Sequence, residues 1–571
     1  MNKKTDIKTI SWIGKVSGKG KILVVILSIL QIINGTTGVG YALFVRNIVD
    51  EAVAKNKTGF LMNALYFVLV VLLQILLFLT INRLTEYCKS YTENAFKESL
   101  FKGILENDFS YISSVHSGEW MNRLTNDTKV VADGFTDILP GFIGMVVRFI
   151  SALIMILLID WRIAAFMLPL GAILAVSAFF LKKKTKALHK DIQEADGALR
   201  VFLQENIVSL LLIRSFSLEK QALEDAKMHM NEHKKKRMKR IMFTSLTSMG
   251  FRLSMNAMYI LGVCYGGYGI LNDTISYGTL LAITQLVNQL QTPIVGMTGV
   301  IPRIYTTIAS AERLMEVNQL GEGTQGENAD DECIQTDDIR KIYDESFEKI
   351  ELKDVEYTYY PAASSTFELS KDKMPVALND FSMQINKGQY VAFVGHSGCG
   401  KSTVLKLLMC IYKPDKGEAL ISVSKGTEAL TRKWRNLFAY VPQGNFLMSG
   451  TIREIVCFAN RLKMQDENAV RQALKIADAE NFVYELEEGI DTLLGERGTG
   501  LSEGQMQRLA IARAVFSERP ILLMDEATSS LDEETEKQVL KNLRSMTNKT
   551  VIIVTHRAAV LEICDEVIKF E

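Results

Sequence analysis

The segment GHSGCGKST at 395–403 follows a strand-like run, YVAFV, and leads into a helix-forming stretch. A glycine-rich loop between a strand and a helix, closed by a lysine and a hydroxyl residue, is suited to holding a polyphosphate. Gly395, Gly398 and Gly400 let the main chain turn its amides onto phosphate oxygens, with Ser397, Cys399 and Thr403 completing the loop. Lys401 reaches the β- and γ-phosphates, and Ser402 can ligate Mg²⁺. The helix that begins there turns its positive dipole end toward the anion. Farther along, PILLMDEATSSLD ends an apolar strand on Asp525 followed by Glu526. An aspartate at that place can hold the metal through water, and a second carboxylate beside it can polarise an attacking water. VIIVTH ends another apolar strand on His556. The carboxyl end of a strand is where α/β folds place their ligand sites, so this imidazole is read as a γ-phosphate contact.

Two further segments narrow the class of ATPase. AYVPQ ends on Gln443, and LSEGQMQRLAIARA begins at Leu501. The second closely resembles the signature sequence of ATP-binding cassette (ABC) proteins, and the whole set follows the order of that family. On this resemblance 395–403 is the Walker A loop and Asp525 the Walker B aspartate. Glu526 is the catalytic glutamate, 529–532 the D-loop and His556 the switch histidine. Gln443 is the Q-loop glutamine, placed with the metal and the catalytic group. Ser502, Gly504 and Gln505 form the signature core, which contacts ATP held by another subunit. Tyr359, in VEYTYYP, resembles the aromatic that stacks on adenine, and Tyr360 beside it is the alternative. GERGTG at 495–500 resembles a segment of exporters that touches the partner's membrane helices. One departure stands out: the family signature reads LSGGQ, and Glu503 replaces its first glycine. The expectation is that Glu503 points to solvent or to a basic neighbour and that activity survives.

These groups need a scaffold, and at 571 residues the chain exceeds one domain. Its 65 basic and 65 acidic residues cancel, which gives no electrostatic case for nucleic acid. Seven cysteines without a C-x-x-C pair suit neither a disulfide framework nor a zinc site. Apolar runs long enough to cross a bilayer, which takes about 20 residues, occupy 22–45, 58–82, 163–181 and 274–302. Two more, 138–159 and 241–272, are each interrupted by one arginine, Arg148 and Arg252. Six spans result. Lysine clusters before the first span and within 182–240 put the N-terminus and the long connections in the cytosol. The connections 83–137 and 182–240 mix charge with helical-period apolar positions and read as membrane helices continuing into water. The segments 117–131 and 211–221 resemble the neighbourhood of exporter coupling helices.

The expected architecture is a multidomain membrane protein. A six-helix all-α transmembrane domain (1–320) is followed by an acidic linker (321–348) and an α/β P-loop ATPase domain (349–571). Six spans and one cassette resemble an exporter-type half-transporter of a bacterial cell membrane, with ATP and Mg²⁺ as its cofactors. The resemblance implies pairing with a second half-transporter. A homodimer is favoured because every catalytic position is filled, with a heterodimer open on account of Glu503. Export of a peptide, lipid or amphipathic small molecule is expected. Uptake of a metal chelate or vitamin on the same fold, or a membrane-anchored regulatory role, are the alternatives. In the sixth span Gln285, Asn288, Gln289 and Thr292 share one helical face. That stripe either glues helices together or lines a path. Arg148 and Arg252 hint at an anionic or amphipathic cargo.

Overall fold

The computed structural model describes residues 3–328, 333–359, 376–444, 447–495, 500–546 and 548–570. It divides into two units, Met1–Ser99 with Arg123–Met315, and Leu100–Asn122 with Glu316–Glu571.

The helices of the first half of the chain are α1 (Lys3–Val16), α2 (Gly20–Val53), α3 (Lys57–Glu106), α4 (Phe109–Ser114), α5 (Ser117–Asn122), α6 (Thr128–Ile159), α7 (Trp161–Val208), α8 (Leu210–Ser215), α9 (Glu219–Leu271) and α10 (Tyr277–Asn328). Each of the six apolar runs lies on one of the six long helices, α2, α3, α6, α7, α9 and α10. Among the described residues, the stretches 20–53, 57–106 and 117–159 are long and apolar enough to cross a membrane. The long connections are helical, as their periodicity requires: α3 runs to Glu106, and α7 and α9 extend through 182–208 and 219–240. In the first unit α2 packs on α6, and α7 on α9. The apolar core joins Val39 and Ala42 of α2 to Ala152 and Ile156 of α6, Met258 of α9, and Ile283, Leu286 and Val287 of α10. Small residues let the backbones close up: a Cβ on Gly35 would stand 3.3 Å from the Gly144 carbonyl oxygen. Buried polar groups here need partners. Asp127 accepts from Arg313 Nε at 2.8 Å and Nη2 at 2.6 Å, and from the Ser310 hydroxyl at 2.8 Å.

The second unit carries α11 (Thr336–Glu345) and α12 (Lys401–Leu408), and two main sheets. Strands β1 (Phe347–Thr358), β2 (Val376–Asn386), β4 (Lys416–Val423) and β5 (Gly426–Ala429) form an antiparallel sheet in the order β2-β1-β4-β5. Strands β3 (Tyr390–Val394), β6 (Phe438–Val441), β9 (Ile521–Asp525), β10 (Thr550–Val554) and β11 (Glu566–Lys569) form a parallel sheet in the order β11-β3-β10-β9-β6. The short pair β7 (Gly450–Thr451) and β8 (Leu493–Leu494) stands apart. Both faces of the parallel sheet are buried, which is why its strands are continuous apolar runs. Leu522, Met524, Val551 and Ile553 enter one core. Ile521, Leu523, Ile552 and Val554 enter the other, together with the antiparallel sheet. The first core is covered by α13 (Ile452–Val456), α14 (Glu467–Ile476), α15 (Glu480–Glu485), α16 (Glu503–Phe516), α17 (Glu533–Arg544) and α18 (Ala558–Leu561).

The acidic stretch is not uniformly a solvated tether. Helix α10 continues to Asn328, 329–332 lie outside the described residues, and α11 follows. Ile339 and Tyr343 of α11 are fully buried in the second core, and the Tyr343 and Thr550 hydroxyls share a 2.7 Å hydrogen bond. The net acidity hid this helix, because two apolar residues four apart suffice to dock ten residues. Ile339→Ala therefore destabilises the ATPase half by about 2–5 kcal/mol. This should be read as an earlier unfolding transition of that half in thermal melts of the full chain.

Candidate active site

The predicted groups meet at the carboxyl ends of the parallel strands. β3 delivers the 395–403 loop, β9 delivers Asp525 and Glu526, β10 delivers His556, and β6 leads to Gln443. Neighbouring strands in register bring these ends level, with Val554 opposite Asp525 and Val441 opposite Met524. The loop closes through Gly400, whose φ of +96° is a left-handed conformation that disfavours side chains. A Cβ there would also fall 2.7 Å from the Ala377 carbonyl oxygen. Lys401 is buried at the start of α12, and its ammonium donates to the carbonyls of Gly395 at 2.8 Å and His396 at 2.7 Å. The amine is thus held over the loop that must receive phosphate.

Asp525 is buried, and its two oxygens have separate donors. Ser402 Oγ donates to Oδ1 at 3.1 Å and the Tyr440 hydroxyl donates to Oδ2 at 3.3 Å. Burial holds its pKa above the ordinary carboxylate range; the two hydroxyls oppose that shift, and the Glu526 charge adds to it. Glu526 breaks from the strand with φ +50°, and its N–H donates to the Val554 carbonyl at 3.1 Å. Its carboxylate accepts from Gln443 Nε2 at 2.6 Å and lies 4.0 Å from His556 Nε2. Gln443, Glu526 and His556 therefore form one cluster. Oxygen donors from Ser402 and Asp525 suit a hard divalent cation.

The signature segment begins α16. Ser502 caps the helix in a reciprocal box: Gln505 N–H donates to Ser502 Oγ at 3.2 Å, and Ser502 N–H donates to Gln505 Oε1 at 2.9 Å. Glu503 is exposed in the first turn, where a carboxylate complements the helix dipole. The two central positions of the signature are not equivalent. A Cβ on Gly504 would stand 3.0 Å from the Ser530 carbonyl oxygen, whereas the side chain at 503 points outward. Tyr359 shares a 2.7 Å hydrogen bond with Thr403 Oγ1, beside the phosphate loop. Tyr360 and 496–499 of the GERGTG segment lie outside the described residues.

Three residues joined to this site were not singled out from sequence. Tyr440 holds Asp525. Buried Gln507 donates to Ser529 Oγ at 3.0 Å and accepts from Ser530 N–H at 3.0 Å. Arg557 donates to the carbonyls of Ser529 at 2.6 Å and Leu531 at 2.9 Å. Gln507 and Arg557 thus clamp 529–532 from two sides. Only their neighbourhood to the signature and to His556 could have flagged them. In the first half, the polar stripe of α10 divides. Gln289 is half-buried and donates to the Gly38 carbonyl at 2.5 Å, while Gln285, Asn288 and Thr292 are exposed. Arg148 is half-buried and Arg252 exposed.

Comparison with known proteins decides the family. The family described as "ABC transporter transmembrane region" matches residues 24–294, and "ABC transporter" matches 378–529. The chain belongs to the ABC transporters. This ABC transporter is 26% identical to an ATP-dependent lipid A-core flippase of Pasteurella multocida, over 96% of this chain and 91% of that one. It is 28% identical to a multidrug resistance ABC transporter ATP-binding and permease protein of Lactococcus lactis subsp. cremoris, over 80% and 73%. A solved bacterial Atm1-family ABC exporter with ATP bound shares its fold, with a TM-score of 0.75 at 22% identity over 96% and 93% of the two chains. The transporter binds ATP, couples its hydrolysis to movement across the membrane, and works as a dimer of halves.

The geometry predicts the outcome of three substitutions. Tyr440→Phe removes a donor that favours the charged form of Asp525, so Asp525 will protonate at higher pH. The acidic limb of the ATPase kcat/KM profile should move upward in pH, and an unmoved limb would separate Tyr440 from the site. Glu503→Gly should change ATPase activity by less than about tenfold, since an exposed helix-dipole contact contributes only about 0.3–1 kcal/mol. Gly504→Ala, pressed against the Ser530 carbonyl, should lose far more in the same assay.

Proposed function

We propose that this chain is one half of a homodimeric ATP-driven exporter in a bacterial cell membrane, with its N-terminus and ATPase half in the cytosol. One observation carries the reading: the chain supplies a full set of hydrolytic groups at its strand ends, so two copies fill two equal sites. Lys401 and the 395–403 amides bind the triphosphate. Tyr359 receives the adenine. Ser502, Gly504 and Gln505 close the site of the other copy. Ser402, Asp525 and Gln443 would hold Mg²⁺, which would supply neutralisation of the phosphate charge. Glu526 orients the attacking water and accepts its proton, and His556 contacts the γ-phosphate. In the described geometry Gln443 bonds Glu526 directly. Engagement of nucleotide must break that bond, which frees Glu526 for water.

The proposed cargo is amphipathic, of the lipid or lipophilic small-molecule class. Lipid A-core and multidrug activities appear in the names of the relatives, and the exposed polar face of α10, with Arg148, supplies groups for a polar head. Glu526→Gln should lower steady-state ATPase at least about a hundredfold, as loss of general-base catalysis does. It should also leave ATP bound after rapid desalting. In proteoliposomes with the ATPase half outside, the wild-type homodimer should accumulate a labelled amphipathic lipid inside on addition of ATP. Net movement in the opposite sense would establish uptake instead.

A further inference from the structure

Tyr412 has no place in the motifs, yet it joins two parts of the second unit. It follows α12, is buried, and stacks on Tyr357 with ring centroids 4.9 Å apart and planes 10° from parallel. Its ring meets that of Tyr359 edge-on at 6.0 Å, and Tyr357 meets Tyr359 edge-on at 5.4 Å. Tyr359 is thus held against two rings as well as by its bond to Thr403. On its other side Tyr412 meets α4: Phe109 lies 6.3 Å away, centroid to centroid, and Ser113 sits at the Tyr412 hydroxyl. Lys406 of α12 places its ammonium 5.3 Å from the same ring.

We propose that Tyr412 is a positioning residue that fixes the adenine-binding ring of Tyr359 and ties its orientation to α4. The proposal rests on the assignment of Tyr359 to adenine. Aromatic pairs of this geometry are directional, so rotating or withdrawing Tyr412 tilts the face that Tyr359 offers a base. Helix α4 is short, is capped by Asp108 accepting from Ser110 N–H at 2.8 Å, and meets the cluster through Phe109, Ser110 and Ser113. The hydroxyls of Ser110 and Tyr357 are buried beside each other where α4 meets β1. Phe109, Ser110 and Ser113 of α4 thus face Tyr412 and Tyr357, the two rings that hold Tyr359. The docking of α4 and the posture of Tyr359 are therefore linked, and adenine affinity should respond to α4.

The test uses the full-length dimer in proteoliposomes, with ATPase rates measured against ATP concentration. Tyr412→Ala should raise KM for ATP roughly three- to tenfold, the worth of such aromatic pairs, with kcat within about twofold. Tyr412→Phe keeps the ring and should restore the wild-type KM. Phe109→Ala, which leaves the ATPase half's own residues intact, should raise KM in the same sense. Tyr359→Ala tests the underlying assignment, and a Tyr359→Ala/Tyr412→Ala pair should raise KM no further than Tyr359→Ala alone. An unchanged KM in Tyr359→Ala sinks the adenine assignment. A raised KM there with an unchanged KM in Tyr412→Ala overturns the positioning role. Loss of kcat rather than KM in Tyr412→Ala, unrestored by Tyr412→Phe, reduces Tyr412 to a core residue and overturns it equally. An unchanged KM in Phe109→Ala refutes the link to α4.

Discussion

Two carboxylates follow one another at the end of β9, at a place where a triphosphate must also lie. Like charges within a few ångströms repel strongly in a poorly hydrated site, and much of the second unit is arranged around that repulsion. Asp525 stays in line with its strand and is met by two hydroxyls. Glu526 leaves in the left-handed backbone region, anchored through its own N–H to Val554 of the neighbouring strand. The turn sends the second carboxylate toward Gln443 and His556, away from the first. The phosphate loop opposes them with a buried ammonium, Lys401, and the amino-terminal end of α12. Positive charge is concentrated on one wall and negative charge on the other, so a triphosphate on the first wall would meet the carboxylates only across a bridging cation.

The signature segment stands apart from this pair of carboxylates. The strand-end groups cluster at the parallel sheet, whereas Ser502 and its helix begin on a different element, with the cap satisfied locally by Gln505. The clamp on 529–532 fits this arrangement, because Gln507 comes from the signature helix and Arg557 follows His556. A shift at either is transmitted to the stretch between them.

What could be read from sequence was what the chemistry requires at fixed spacing. The glycines and Lys401 are dictated by main-chain geometry around phosphate, so their types survive in one short string. The parallel strands were legible because burial on both faces leaves runs such as ILLMD and TVIIV. The long connections were legible as helices by period. Tyr440, Gln507, Arg557 and Tyr412 were not, since each acts through partners far away in sequence and belongs to a type common in any core or surface. Helix α11 was hidden by its acidic neighbours. For the polar stripe of α10, the sequence could not say that Gln289 turns to Gly38 while Gln285, Asn288 and Thr292 are exposed.

Glu503 shows how a departure from a motif becomes intelligible. The signature asks for two glycines, and only one of them is demanded by contact. Gly504 is pressed on the Ser530 carbonyl, so a side chain there displaces 529–532 and, through Gln507, the end of β9. Position 503 faces outward in the first helical turn, where a carboxylate gains from the dipole. Its charge weakens the attraction of that helix end for a phosphate, but an exposed charge is screened by water and salt. The loss in anion affinity is then partial, and it falls alike on both sites of a homodimer. Identical halves would carry Glu503 at both sites, whereas a mixed pair could carry unequal ones.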